Sequence, residues 1–304
     1  MNKMRKLMFT LLLVTAAAVG ANAQLLYRIS GNGLSQDSYI VGTFHIAPVS
    51  FADSISGVYD ALNNTEQVCG ELDMTEMMNP EKLMNMQKAM MLGDGATLST
   101  LLNEEQLAKL NSTLNKLMGA DLTNPMVKMQ LDNITPAALE TQLSLLMALK
   151  HSPDFDMTNP FDGYFQKLAQ QEGKPVKGLE TLDFQTETLY KGTSMERQME
   201  RLMCLCDNYD YMYMLAERLA KAYYTQNLDS IKEVMDEKLN TSCDATDEEN
   251  DRLIYNRNRN WLAQMPMIMK QKPTFFAVGA AHLVGEKGVI EGLRKAGYTV
   301  TGVK

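Results

Sequence analysis

Two short segments, "GTFHIA" at 42–47 and "GAAHLV" at 279–284, each place a Gly-x-x-His directly after an apolar run. Each is followed by a helical pattern and a further strand. Between them they use two of the three histidines in 304 residues. A strand–loop–helix–strand unit near each end is the strongest constraint on the fold, because such units build parallel sheets through crossovers. The expected class is therefore α/β (α+β). Its mostly parallel central sheet is built from the two units, which read as a remote internal duplication with helices inserted between them.

The individual runs support that reading. "LLYRISG" and "DSYIVGTF" flank a Gly-Asn-Gly turn and form a hairpin pattern. "FADSISGVYDALNN" has a short helical face, and "QVCGELD" is a strand. Residues 76–150 carry helical apolar spacing in "EKLMNMQKAMML", "EEQLAKLNSTLNKLM" and the stretch opened by Thr135-Pro136. They form a large helical insertion. "NPFDGYFQKLAQQEG" is a helix ending at Gly173, "KPVKGLE" a short strand, and 193–239 is helical again. "TSCDATDEEN" reads as a polar loop, and the following helix meets a kink or an end at Pro266. The closing unit reads as strand 274–279, helix 286–296, Gly297 as cap and a last strand from Tyr298 to Val303. One domain, 24–304, is expected.

The first 23 residues stand apart from that domain. Lys3, Arg5 and Lys6 precede an apolar run from Leu7 to Gly20, and Ala21-Asn22-Ala23 has the small-x-small form of a cleavage site. This is the pattern of a signal peptide. Export to the periplasm or the exterior is expected, with a mature chain starting near Gln24 and free of membrane spans. Its charge is then 26 Lys+Arg against 37 Asp+Glu, a net −11, since the leader holds three of the 29 bases and no acid. An acidic chain without a basic stripe is a poor nucleic-acid partner. Either one of Cys204 and Cys206 bridges to Cys243, or all four cysteines stay reduced. The 24 methionines lie mostly along helices and read as flexible core filler.

The site follows from the sheet. Ligands bind outside the carboxyl ends of parallel strands, and both histidines fall there. Gly42 and Gly279 remove a side chain where the backbone leaves the sheet. Glu71 ends the strand of the first unit, with Asp73 as its nearest rival, and Glu180 ends "KPVKGLE". Two histidines and a carboxylate form a transition-metal ligand set with open positions. His45, Glu71 and His282 are the expected metal ligands, and a remaining carboxylate serves as general base. Arg257 and Asn258, in "NRNRNW", either orient a substrate or form a solvated helix face. His151, after a helix, is read as a surface or cap residue.

At "YIVGTFHIA", "VCGELD", "FDGYFQKLAQQEGKPVKGLETLDFQ", "YNRNRNW" and "FFAVGAAHLVGEKGVIEGLRKAGYTV" the chain resembles the TraB/GumN family, which includes the Tiki-type metalloproteases. The match runs from about Leu26 to Val303. The resemblance implies a fold similar to erythromycin esterase and ChaN-like haem-binding proteins. It also implies an active site of His45, Glu71 and His282, with Glu180, Gln185, Arg257 and Asn258 on favoured positions. Tiki-type members imply a manganese-, cobalt- or similar divalent-ion peptidase, and the TraB branch a link to peptide pheromones. No counterpart of the Tiki-type C-terminal anchor is expected, four residues following Val300.

The leading expectation is an exported divalent-metal-dependent hydrolase (manganese, cobalt or zinc) acting on a peptide or protein substrate. The alternatives are a peptide- or haem-binding protein without turnover, and a metal-free esterase-like hydrolase in which His45 and Glu71 act on a water.

Overall fold

The computed structural model describes residues 24–304; the expected leader, residues 1–23, lies outside them. Six strands form one sheet: β1 (Leu26–Ser30), β2 (Ser38–Thr43), β3 (Gln67–Leu72), β4 (Val176–Glu180), β5 (Thr274–Gly279) and β6 (Thr299–Gly302). Their order is β4-β3-β5-β2-β1-β6. β4, β3, β5 and β2 pair in parallel, while β1 runs antiparallel to both β2 and β6. The chain is thus a mixed α/β fold with a mostly parallel sheet and fourteen α-helices among the described residues.

The order explains how two remote units meet. The first unit runs from β2 to β3, and β5 lies between those two strands. The second runs from β5 to β6, and β2 lies within its span. The units are interleaved rather than side by side, so their first strands are direct neighbours. Thr43 pairs with Gly279 at the last rung. β5 occupies the middle and is apolar without alternation, TFFAVG, buried through Val278. Continuous burial is what a strand covered on both faces requires.

Two apolar cores result. One surrounds the sheet and includes Phe161, Phe165, Trp261, Phe275 and Phe276. The other lies within the helical part, where Leu98, Leu110, Leu114, Leu139 and Leu143 meet Leu202 and Leu205. The apolar faces of 80–149 are therefore closed by the Met195–Asp207 helix, far downstream. Cys204 of that helix is bonded to Cys243, while Cys69 and Cys206 remain thiols. Arg197 grips the same loop, donating to Glu249 and to the Ser242 and Asp244 carbonyls. No helix among the described residues is long and apolar enough to cross a membrane.

Several local expectations change. Pro266 neither ends nor interrupts its helix, which runs Asn256–Gln271. Trp261, Met265 and Met269 are buried four residues apart and anchor it on both sides of the missing N–H. The closing helix is shorter than 286–296, at Val289–Lys295. The polar loop gives way to the helix close to the expected point, where a Thr246/Glu249 capping box starts it at Asp247. His151 is half-buried, its ring 4.8 Å from that of Tyr213.

Candidate active site

Four neighbouring parallel strands end along one edge, and each delivers a polar group there. β4 ends in Glu180, and β3 carries Glu71 one residue before its end. His282 stands in the short turn Ala280–His282 after β5, and His45 lies two residues past β2. The glycines act through close approach. A Cβ on Gly42 would lie 3.0 Å from Ala280 Cβ and Leu283 Cδ1, so its absence lets the second unit's turn pack on the first unit's strand. A Cβ on Gly279 would lie 3.1 Å from Glu71 Oε1, an atom that the Gly279 N–H itself binds at 2.7 Å.

Arg257 organises the inner part. A π-helical turn, Asp251–Tyr255, immediately precedes its helix. The guanidinium donates to both Glu180 oxygens (2.9 and 3.1 Å), to Glu71 Oε2 (2.6 Å) and to the Leu253 carbonyl. It also donates to His282 Nε2 at 3.1 Å. An arginine has no lone pair to offer, so His282 Nε2 is the acceptor. The proton of the neutral ring therefore sits on Nδ1 and is donated to Asn258 Oδ1 at 2.7 Å. The Asn258 amide in turn donates to the His282 and Lys287 carbonyls. Trp261 covers the group, its indole N–H on Glu180 and its ring 4.4 Å from that of His282.

Charge follows from these contacts. Burial pushes His282 down to about 4 and outweighs the pull of Glu71, so the ring is neutral at pH 7. Burial alone would raise Glu71. The positive groups around it and the Gly279 N–H prevail, and its carboxyl lies below the ordinary value. Since His282 is uncharged near neutrality, the cations that hold Glu71 ionised there are Arg257 and, more weakly, His45. Arg257 itself stays charged because its contacts with Glu180 and Glu71 exceed the cost of burying it.

His45 occupies a different setting. Its side chain is 71 % exposed, and its Nδ1 lies 2.5 Å from Asp162 Oδ2. Thr43 donates its hydroxyl to the other Asp162 oxygen. The Asp162 charge raises His45 to about 9, against a smaller opposing effect of burial. Solvent screens the pair, so its worth lies in fixing ring and charge rather than in stability. Sequence reasoning missed Asp162. It sits in the first turn of the Phe161–Gln171 helix, where an acid already has a local role at the helix N-terminus.

A crevice of about 240 Å³ opens here, lined by His45, Glu71 and Asp162 on its charged side and by Met74, Met77 and Met86 among others. Gln185 lines it too and donates to Glu180 Oε2 at 3.3 Å. The structure thus brings Glu71, Glu180, Arg257, Asn258 and His282 into one bonded group. His45 faces the same crevice through Asp162.

The three expected metal ligands do not converge. Glu71 Oε1 and His282 Nε2 are 3.9 Å apart, and Arg257 already engages both residues. His45 Nδ1 is held by Asp162. Among the described residues no three His, Cys, Asp or Glu side chains are placed to hold a metal ion. The donor set as arranged does not fit a divalent ion, because a guanidinium stands where it would bind.

No curated protein matches this chain. No solved structure matches it either. The model of the TraB/PrgY/gumN family matches residues 25–302, nearly the whole chain, and the chain belongs to that family.

Proposed function

We propose that this protein is a metal-free hydrolase of acyl substrates, a peptide amide or an ester, in which Glu71 and His45 act as base and acid on opposite sides of a bound carbonyl. The observation that carries this is the opposite tuning of two groups facing one crevice: Glu71 is held as an anion and His45 as a cation. Environments that push two titratable groups apart assign the acid and the base. Glu71 takes a proton from water as the water attacks the carbonyl. His45 Nε2–H donates to the developing oxyanion and then protonates the leaving nitrogen or oxygen. The proton on Glu71 returns to His45, leaving acid and amine or alcohol. Arg257 keeps Glu71 ionised and aimed, Asn258 and His282 fix Arg257, and Asp162 fixes His45.

Export is part of the proposal. A disulfide between Cys204 and Cys243 supports an oxidising compartment.

A second reading retains the divalent ion. It is favoured by the 3.9 Å between Glu71 Oε1 and His282 Nε2, and it requires Arg257 to leave them. Hydrolysis of a peptide library and of simple esters by the purified protein, with and without chelator, separates the readings. Chelator-resistant turnover that falls about 10²–10⁴-fold in His45→Ala and in Glu71→Gln is expected. Turnover lost to chelator and restored by manganese, cobalt or zinc would overturn the metal-free mechanism.

A further inference from the structure

The crevice is chemically two-sided. Its charged lining residues are His45, Glu71 and Asp162, bound or coupled to one another at the sheet edge. Most of the remaining lining is apolar and comes from elsewhere: Met74 and Met77 from the short turn Met74–Met78, Met86 from the Pro80–Met90 helix, and Leu182 and Leu189 from the Leu182–Tyr190 helix. These methionines are partly buried. Methionine makes an adaptable apolar wall.

We propose that this wall is a specificity subsite that takes one aliphatic side chain, leucine- or methionine-sized, next to the bond presented to Glu71 and His45. The occupant follows from continuity with the charged edge. A ligand whose carbonyl lies against Glu71 and His45 places its neighbouring side chain along the methionines. The volume, about 240 Å³, is under the roughly 300 Å³ at which drug-sized pockets begin, so it suits one or two residues rather than a long segment. Charged side chains of either sign are disfavoured along the methionines, which offer no partner to a desolvated charge. Only the position of the reacting carbonyl rests on the hydrolase reading; the subsite itself rests on the lining.

Binding tests it apart from turnover. The full protein carrying ¹³C-methyl methionine is titrated with N-acetyl-leucinamide, N-acetyl-alaninamide, N-acetyl-glutamamide bearing a free side-chain carboxylate, and N-acetyl-lysinamide. Methyl signals are assigned by single Met→Leu changes. Saturable shifts at Met74, Met77 and Met86 are expected with the leucine probe, binding roughly tenfold or more tighter than the alanine probe. Met86→Glu, at a partly exposed position, should abolish that preference without changing the unfolding temperature beyond a few degrees, and His45→Ala should keep it. Should hydrolysis fail while the preference holds, the subsite stands and the hydrolase reading falls. Turnover without side-chain preference, tighter binding of the lysine probe, or shifts confined to other methionines would overturn the subsite.

Discussion

His45 and His282 follow the same short motif at the ends of adjacent parallel strands, yet they are opposites. His45 is exposed, bound to an acid and raised to about 9. His282 is buried, bound to an amide and an arginine, and lowered to about 4. The backbone frame delivers a ring to the sheet edge, and the neighbours decide what it does there. For His45 the neighbour is Asp162, on a helix 117 residues away. For His282 it is the Arg257–Asn258 pair, 24 and 25 residues away. One frame therefore yields an exposed ring that lines the crevice and a buried ring that binds Arg257.

Exchanging their losses is the hardest test of that contrast. His45→Ala should reduce turnover by about 10²–10⁴-fold and leave thermal unfolding nearly unchanged. Arg257→Leu should add a loss of stability to a loss of turnover. It strands Glu71 and Glu180 in a nearly dry setting and should cost about 3–5 kcal/mol, read by denaturant unfolding. A variant pair in which both lose only activity would erase the distinction. Asn258→Ala leaves the buried His282 N–H without its acceptor and should cost about 1–3 kcal/mol. His282 should then change tautomer or mobility while His45 is unaffected.

How far these roles were visible in the sequence follows the same division. His45, His282, Glu71 and Glu180 were legible because strand ends converge in a parallel sheet, and that depends only on element order. Arg257 and Asn258 were legible as candidates, but their helix gave no sign of which side faced the site. The two could equally have met solvent. Asp162 was not legible, because its partner is remote and its local role was sufficient explanation. The expected metal site drew on residue types, converging strand ends and a family resemblance; none of these reveals that Arg257 contacts both Glu71 and His282. Pro266 does not end its helix, because the burial of Met265 and Met269 outweighs one missing backbone bond. The downstream closure of the helical core had no local signal at all.

Acidity gives the next largest contrast. His45 has a raised value, so the little stability that solvent screening leaves to it is present below pH 6.5 and lost as pH rises through about 9. His282 is buried neutral. The unfolded chain takes up that proton first, so stability is lost as pH falls from 6.5 toward 4. The unfolding temperature should therefore fall on the acid side of pH 6.5, with that limb removed in His282→Asn, and change little on the alkaline side in the parent or in His45→Ala. Turnover should fall above about pH 9 as His45 loses its proton. A flat profile in both variants and the parent would contradict the assignment.

The smallest effect on the site is expected from the disulfide, which lies in the helical part. Cys204→Ala with Cys243→Ala should cost about 2–4 kcal/mol of stability with kcat within twofold.

The most direct test is a ¹H–¹⁵N long-range titration of the imidazole nitrogens from pH 4 to 10, with His151→Asn used to remove the third ring. The expected result is a His282 ring that stays neutral to about pH 4 with its proton on Nδ1, beside a His45 ring that stays protonated well past pH 7. Two rings titrating together near 6.5, or a His282 proton on Nε2, would contradict the account.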